Sequence, residues 1–545
     1  MKNIYKVISA IAVSALLFSS CIKETQPQSS YVTSEQAANA PDSFEGFVSG
    51  LTTSLMGTFY AFSDSGNAFD FGYPSFFLVR DVMGQDMTLE ADSGYDHYTS
   101  WYECSVSLGP SYSICQYPWR CYYRWIKNCN NVLSLAEGQE GEKFEQGRGI
   151  AHALRAMFYL EMAQMYATET YVKNPQALTV PKVDENTSDV VNPRLTSEEM
   201  FAFILSDLDA AEKELANYKR SNITTPDVSV VYGLKARAYL VMGDWQNAAD
   251  YAVKAQEGYT KMTEQEWSNH EDSFTAPTAA WMFALKNNAS DECVVDNDGD
   301  TSWGSQMIID LAQSGCGYAA SYGCPKRMDA HLRSTIPDTD WRSKCFVDCA
   351  LNEEEDEDAL LAALAKYSKY PEDLITTAGA TNSGEIGGLC TKFCAAGGDA
   401  GRQNMTIGLL TYVPLMRVEE MILIEAEAKG MMNEADGKAI LTAFATSRNP
   451  SWKYGSEPLR EQIWWQRRVE FWGEGLATLD IKRLQKGIVR NYAGTNHPEN
   501  YRWNTDGVPD WMTFCIVESE TLYNKGCEQN PVPVKPTQDS PEYVW

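Results

Sequence analysis

Histidine is scarce in this chain, with five among 545 residues, scattered at His97, His152, His270, His331 and His497. No H-E-x-x-H zinc motif and no G-x-S-x-G nucleophile elbow occurs, so the commonest hydrolase signatures are missing. Basic residues are also in short supply: 45 Lys and Arg stand against 74 Asp and Glu, a formal charge of −29. A nucleic-acid binder needs a basic face to release counterions from phosphates. No Lys/Arg cluster here approaches one, which excludes DNA and RNA as partners. Beyond the first 21 residues no apolar run reaches the ~18 residues of a membrane-spanning helix. Two C-x₃-C pairs, Cys345/Cys349 and Cys390/Cys394, have no histidines nearby to complete a zinc site. No metal and no cofactor is expected.

What is present begins at the N-terminus. Lys2 and Lys6 precede a short apolar run, Ile8 to Leu17, which ends in Phe18-Ser19-Ser20-Cys21. A charged start, a short apolar stretch and small residues ahead of a cleavage point make a secretory leader. The run is too short to cross ~30 Å of hydrocarbon. A cysteine at the newly exposed N-terminus is then a lipid attachment point, and two or more acyl chains hold a protein stably on a membrane without spanning it. Residues 1–20 are therefore expected to be removed and Cys21 lipidated. Losing the two positive charges of Lys2 and Lys6 takes −29 to −31. Of 14 cysteines, 13 remain beyond Cys21, so at least one stays unpaired within the chain. Disulfides are expected chiefly in the loop-like stretch 293–394. Cys121 and Cys129, eight apart on a predicted helix, read as small core residues.

The clearest helical hairpin is predicted over Val228 to Glu257. Tyr232, Ala236, Tyr239 and Leu240 line one helix, Gly243-Asp244 makes the turn, and Ala248, Ala252 and Ala255 face back. This spacing is that of a tetratricopeptide repeat, which needs stacked neighbours for stability. Further helices are predicted over Trp119–Leu135, Glu145–Ala167, Ser197–Leu215, Val418–Met431 and Glu434–Ala445, with Thr196 or Ser197 capping the third. From about 270 to 412 the periodicity weakens. Ala279 to Leu285 reads as a strand, and Glu353 to Asp358 as a solvated loop or helix start. Asp296-Asn297-Asp298-Gly299-Asp300 has alternate carboxylates suited to calcium, but Thr301 and Met307 stand where the helix-loop-helix form needs Gly and a bidentate Glu.

The C-terminal blocks carry a family resemblance. Arg417-Val418-Glu419-Glu420-Met421-Ile422-Leu423-Ile424-Glu425-Ala426-Glu427-Ala428 resembles the Arg-x-x-Glu-x-x-Leu-x-x-Ala-Glu-Ala helix of the SusD/RagB family, glycan-capturing surface lipoproteins of Bacteroidetes. Gln466-Arg467-Arg468-Val469-Glu470-Phe471-Trp472-Gly473-Glu474-Gly475 with Asp480-Ile481-Lys482-Arg483 is similar to its second marker. Val180-Pro181-Lys182-Val183, Arg194-Leu195-Thr196 and Ile204-Leu205-Ser206-Asp207-Leu208 resemble its N-terminal half, and Asp338-Thr339-Asp340-Trp341-Arg342 its middle segment. Leu476 and Ala477 replace the aromatic or basic residues usual after Glu-Gly, so packing there is expected to differ.

The resemblance implies a mainly α fold, a tetratricopeptide-like helical scaffold with a loop-rich ligand face. It divides the chain into a leader (1–20), an N-terminal helical region (21–270) and a C-terminal region (271–545). It implies no catalysis, an oligosaccharide or polysaccharide ligand, an outer-membrane position through the lipid anchor, and a TonB-dependent transporter of the SusC/RagA type as partner. A tetratricopeptide-type protein-interaction scaffold and a glycoside hydrolase are the alternatives. Sugar rings offer one apolar C–H face and a rim of hydroxyls, which calls for flat aromatics beside planar polar groups. Two loops supply that mixture: Arg80 to Trp101, with Arg80, Asp81, Tyr95, His97, Tyr98 and Trp101, and Trp303 to Tyr322, with Trp303, Tyr318 and Tyr322. Trp101 and Trp303 are the leading stacking candidates.

Overall fold

A computed structural model of the chain describes residues 43–56, 68–90, 97–104, 108–188, 191–295, 301–312, 317, 324–354, 356–376, 386–532 and 540–545. Chain contacts separate Met1–Gly46 from one compact unit, Phe47–Trp545. In that unit the principal elements are α1 (Ser75–Val82), β1 (Met87–Leu89), α2 (Thr99–Glu103), α3 (Ser113–Ala136), α4 (Glu142–Tyr166), β2 (Leu178–Pro181), β3 (Arg194–Thr196), α5 (Ser197–Glu214), α6 (Val228–Met242) and α7 (Trp245–Ala255). They continue as β4 (Trp281–Lys286), α8 (Trp303–Met307), β5 (Lys326–Met328), α9 (Ala330–Ser334), β6 (Tyr412–Arg417), α10 (Val418–Met432), α11 (Glu434–Arg448), α12 (Leu459–Glu470) and α13 (Ala477–Arg483).

The long helices stack in series: α3 on α4, α4 on α5, α5 on α6, α6 on α7, α7 on α10, and α10 on α11. The chain leaves this stack after α7 and re-enters it at α10, so the loop-rich middle is an excursion from a continuous helical scaffold. The α6–α7 hairpin shows why the residues fold this way. Gly243 takes the left-handed conformation (φ 73°) that ends α6, and the Asp244 side chain accepts from the Asn247 amide to start α7. Ala236, Ala248, Ala252 and Ala255 are all fully buried between them. Where α10 and α11 cross, a Cβ on Gly437 would lie 2.5 Å from the Ala426 carbonyl oxygen, so only glycine permits that approach. Thr196 and Glu199 form a complete capping box at the start of α5. The first predicted helix is longer than expected, running from Ser113 with Pro118 inside it. Asp356 caps a helix over Glu357–Tyr367, so the acidic run is partly a helix start.

Sheet is confined, among the described residues, to three two-stranded antiparallel ribbons, β1–β5, β2–β3 and β4–β6. The last joins the excursion to the scaffold, since β6 runs straight into α10. Beneath that junction lies a buried lattice of charge. Arg417 pairs with Glu419 (2.9 Å), Glu470 (3.2 Å) and Glu474 (2.9 Å). Arg448 reaches Glu419 (3.0 Å) and Glu470 (3.1 Å), and Arg342 reaches Glu470 (3.0 Å) and Asp340 (2.7 Å). Lys392 donates to Glu474 and to the carbonyls of Glu470 and Trp472. Burial alone would raise the pKa of Glu470, but Arg448, Arg417 and Arg342 outweigh it and hold the carboxylate well below its ordinary range.

A second buried carboxylate, Glu427, accepts from both Arg483 and Arg460. Burial opposes its ionisation, yet the two guanidiniums bring its pKa down to about 2 from 4.5. A carboxyl depressed in the folded state contributes stability that is complete above the unfolded pKa and disappears as pH falls through the folded one. Glu427→Gln should therefore cost about 3 kcal/mol near neutral pH, on the order of ~1.4 kcal/mol per pKa unit. The gap between wild type and variant in chemical denaturation should close as pH is lowered from 4.5 toward 2. A gap that stays constant across that window would refute the assignment.

Candidate functional site

The ribbon of β1 and β5 organises both of the loops expected to hold ligand. Met87 lies opposite Met328 and Leu89 opposite Lys326. One loop leaves β1 at Glu90 and returns at His97; the other enters β5 through Cys324. Antiparallel register therefore puts both departure points at the same end of the ribbon. The Cys324 thiol donates to the Glu90 carbonyl at 3.3 Å, and Arg327 pairs with the Glu90 carboxylate at 2.9 Å. Lys326, itself 1% exposed, donates to the Gln306 side chain of α8 and to the Cys324 carbonyl, with its ammonium 5.9 Å from the centre of the Tyr98 ring. The two stretches, far apart in sequence, are thus tied together at their bases.

The side chains do not all lie where the sequence suggested. Trp101 is 1% exposed, its ring edge-on to Phe69 at 5.1 Å and tilted against Tyr98 at 5.7 Å. Tyr98 is fully buried, its hydroxyl 2.8 Å from that of Ser75. Trp303 is 1% exposed and meets Phe393 edge-on at 4.6 Å. None of these three rings presents a face to solvent, so all three belong to the core that supports the loops, not to a sugar-stacking surface. The physical reason is local. Thr99–Glu103 and Trp303–Met307 are single helical turns, the second capped by the Ser302 side chain, and each turns its aromatic side inward.

Arg80 and Asp81 are also core residues, and in different places. Arg80 pairs with Glu161 at 3.2 Å, where the hydroxyls of Tyr73 and Tyr122 also donate. Arg80, Glu161 and Tyr73 stand in the wall of a cleft shared with Arg237, Glu420 and Arg467. Asp81 accepts from the amides of Gly475 (3.1 Å) and Ala477 (3.3 Å), and burial pushes its pKa up to about 7. It thereby caps the start of α13, at the Leu476-Ala477 departure noted in the sequence. Tyr95, Tyr318, Tyr322, Cys21 and the Asp296–Asp300 segment lie outside the described residues.

In the stretch where disulfides are expected, Cys345, Cys349, Cys390 and Cys394 are free thiols, and all but Cys349 are buried. Burial pushes thiols such as Cys129 and Cys390 up to about 12, as suits inert core side chains. Among the described residues no cluster of three or more His, Cys, Asp or Glu could hold a metal ion.

One aromatic group escaped the sequence reading. Trp545 is 56% exposed and stacks face to face on His331, with ring centres 3.4 Å apart and planes 1° from parallel. Tyr543, 44% exposed, meets Trp545 edge-on at 4.9 Å. The only signal available was the aromatic-x-aromatic spacing of 543 and 545, which places both rings on one side of an extended segment.

Trp101→Ala should behave as a core truncation, losing ~3–5 kcal/mol of folding stability. A melting temperature unchanged from wild type would return Trp101 to the list of exposed platforms.

Comparison with known proteins places this geometry in context. A family model described as starch-binding proteins associating with the outer membrane (SusD-like) matches residues 84–240, and the SusD family model matches residues 252–544. Among solved structures, a SusD-like carbohydrate-binding protein of Bacteroides vulgatus superposes with a TM-score of 0.68 at 23% identity, covering 91% of this chain and 98% of that one. A SusD superfamily protein of Bacteroides fragilis gives 0.64 at 20% identity, covering 90% and 99%. Surface glycan-binding protein A of Bacteroides thetaiotaomicron, solved with laminarihexaose, gives 0.65 at 18% identity, covering 89% and 98%. No curated protein sequence matches the chain. With its second half and more spanned by one family model, its helical scaffold shared across whole chains and its charge lattice built from the marker residues, this chain belongs to the SusD family, non-enzymatic glycan-binding proteins associated with the outer membrane.

Proposed function

We propose that the protein captures oligosaccharide or polysaccharide at the cell surface and passes it to a TonB-dependent transporter of the SusC/RagA type. The observation that carries the ligand side of this reading is the β1–β5 ribbon, which ties together the bases of two loops that carry aromatics, the second of them Gly-rich. Tyr95, Tyr318 and Tyr322 belong to those loops, and with Tyr98, Trp101 and Trp303 committed to the core they are the remaining stacking candidates. Stacking aromatics on a rigid foundation lose little entropy when a sugar binds, which is how a shallow surface reaches useful affinity. The laminarihexaose held by the Bacteroides thetaiotaomicron structure is a sensible first probe, beside a panel of other glucans.

The test is binding by calorimetry and affinity electrophoresis. Wild type should bind at least one glycan without releasing product, and changing Tyr95, Tyr318 and Tyr322 to Ala should weaken it by ~1–3 kcal/mol, about 5- to 150-fold, with an unchanged melting temperature. Product release would favour a hydrolase; full affinity in the triple variant would move the site elsewhere.

The anchor and partner follow from the same reading. Cys21 carries the lipid, and a weakly binding protein tethered over a transporter benefits from the high effective concentration of a confined volume. Gentle detergent extraction should recover the wild type with a large β-barrel partner, while Cys21→Ala should leave the outer-membrane fraction. Recovery of the wild type alone, or membrane retention of the variant, would count against it.

A further inference from the structure

We propose that Trp545, seated on His331, forms a second sugar-stacking platform at the opposite end of the β1–β5 ribbon from the loops. The inference rests on the glycan-capture reading and adds to it a site on other residues. The ligand loops leave at the Glu90 and Cys324 end, whereas Asp86 and Asp329 stand at the other end, next to α9 and its His331.

Three observations make this a built surface. First, Trp545 has one face closed by the imidazole and over half its area open, so the free face is held in a fixed plane. The segment carrying it is pinned by backbone and side-chain bonds: the Tyr543 amide donates to the Asn491 carbonyl (2.8 Å), the Asn491 side chain to the Ser540 carbonyl (2.7 Å), and the Asn504 side chain to the Pro541 carbonyl (2.9 Å).

Second, another half-buried indole is anchored to the residue that follows α9. Trp465 donates its Nε1–H to Thr335 Oγ1 at 2.8 Å. Thr335 directly follows α9, four residues beyond His331, ~6 Å along a helical axis.

Third, charged and polar groups stand beside the aromatics. His331 lies within electrostatic reach of Asp329, Asp86 and Arg468. Arg468 forks onto both oxygens of Asp86 (3.0 and 2.9 Å) and lies over the Trp464 ring at 4.7 Å. That buried, mutually satisfied pair fixes the wall behind the rings, while Ser334 and Thr335, both exposed, supply hydroxyls beside them. An apolar peptide would gain little from those hydroxyls, whereas a glycan uses both the flat ring and the polar groups.

The experiment compares wild type, Trp545→Ala and Trp545→Phe with the loop variant, all as full chains, using the longest glucan the wild type binds and its hexasaccharide. Trp545 is exposed, so its removal should leave the melting temperature unchanged. Trp545→Ala should weaken binding of the polysaccharide about tenfold, and Trp545→Phe should restore most of it. Combined with the loop variant it should weaken binding further than either alone. Unchanged polysaccharide affinity in Trp545→Ala overturns the proposal while leaving glycan capture by the loops intact. Unchanged affinity together with loss of the β-barrel partner in pull-down also overturns it and assigns the surface to protein contact. If the wild type binds no glycan at all, the capture reading and this inference fall together.

Discussion

Glu470 is the point on which the C-terminal half of this protein turns. Its carboxylate meets Arg342 from the excursion, Arg417 from the junction of β6 with α10, and Arg448 from the end of α11, and it also accepts from the Trp267 indole at 3.3 Å. Adding Asp340, Glu419, Glu474 and Lys392, the lattice holds four acids and four bases and is electrically balanced. Balance matters because charges taken out of water are costly, and removing one partner of such a set is worse than never having buried it, typically by ~3–5 kcal/mol. The charged marker residues that enter this lattice, Asp340, Arg342, Arg417, Glu470 and Glu474, are therefore positioned by mutual dependence, each the counter-charge of another.

This dependence also explains how a scaffold can be interrupted by a long excursion and still behave as one body. Helix α7 packs on α10 although the whole loop-rich middle lies between them in sequence. The alanine-lined hairpin on one side and the glycine crossing of α10 and α11 on the other are close-packed surfaces that need each other. The excursion is attached at both ends, by the β4–β6 ribbon and by Arg342 and Lys392 reaching into the lattice. It is free to vary in between, which is where a ligand face belongs.

The helices were legible in the sequence because their signals are local and repeated. The Gly243-Asp244 turn, the Thr196–Glu199 box and the small-residue stripes each act within a few residues, and the structure places those helices within a few residues of expectation. The site was harder to read. Tyr98, Trp101 and Trp303 sit among Gly, Ser and Asp, the composition of a loop, and composition cannot tell that a single helical turn rotates an aromatic inward. Arg80 and Asp81 were read as planar polar groups for sugar hydroxyls, yet their partners Glu161, Gly475 and Ala477 are long-range and invisible along the chain. The cysteines misled in a similar way: a secreted chain with many of them suggests bridges, but the described thiols fill core space as small apolar groups.

The β1–β5 ribbon adds a spatial relation to that reading. The register of three residue pairs between β1 and β5 brings together two segments that sequence alone could only treat as separate. A foundation of buried aromatics at the bases of the two loops is physically coherent for a binder of this kind. Loops pinned by Trp101, Trp303 and Lys326 have less freedom to lose when a flexible, heavily hydrated chain of sugars docks, and for such ligands the ordering cost is a large share of the free energy. On this view the buried rings serve binding indirectly. They fix the bases of the loops, as the charge lattice fixes the junction of the excursion with the scaffold.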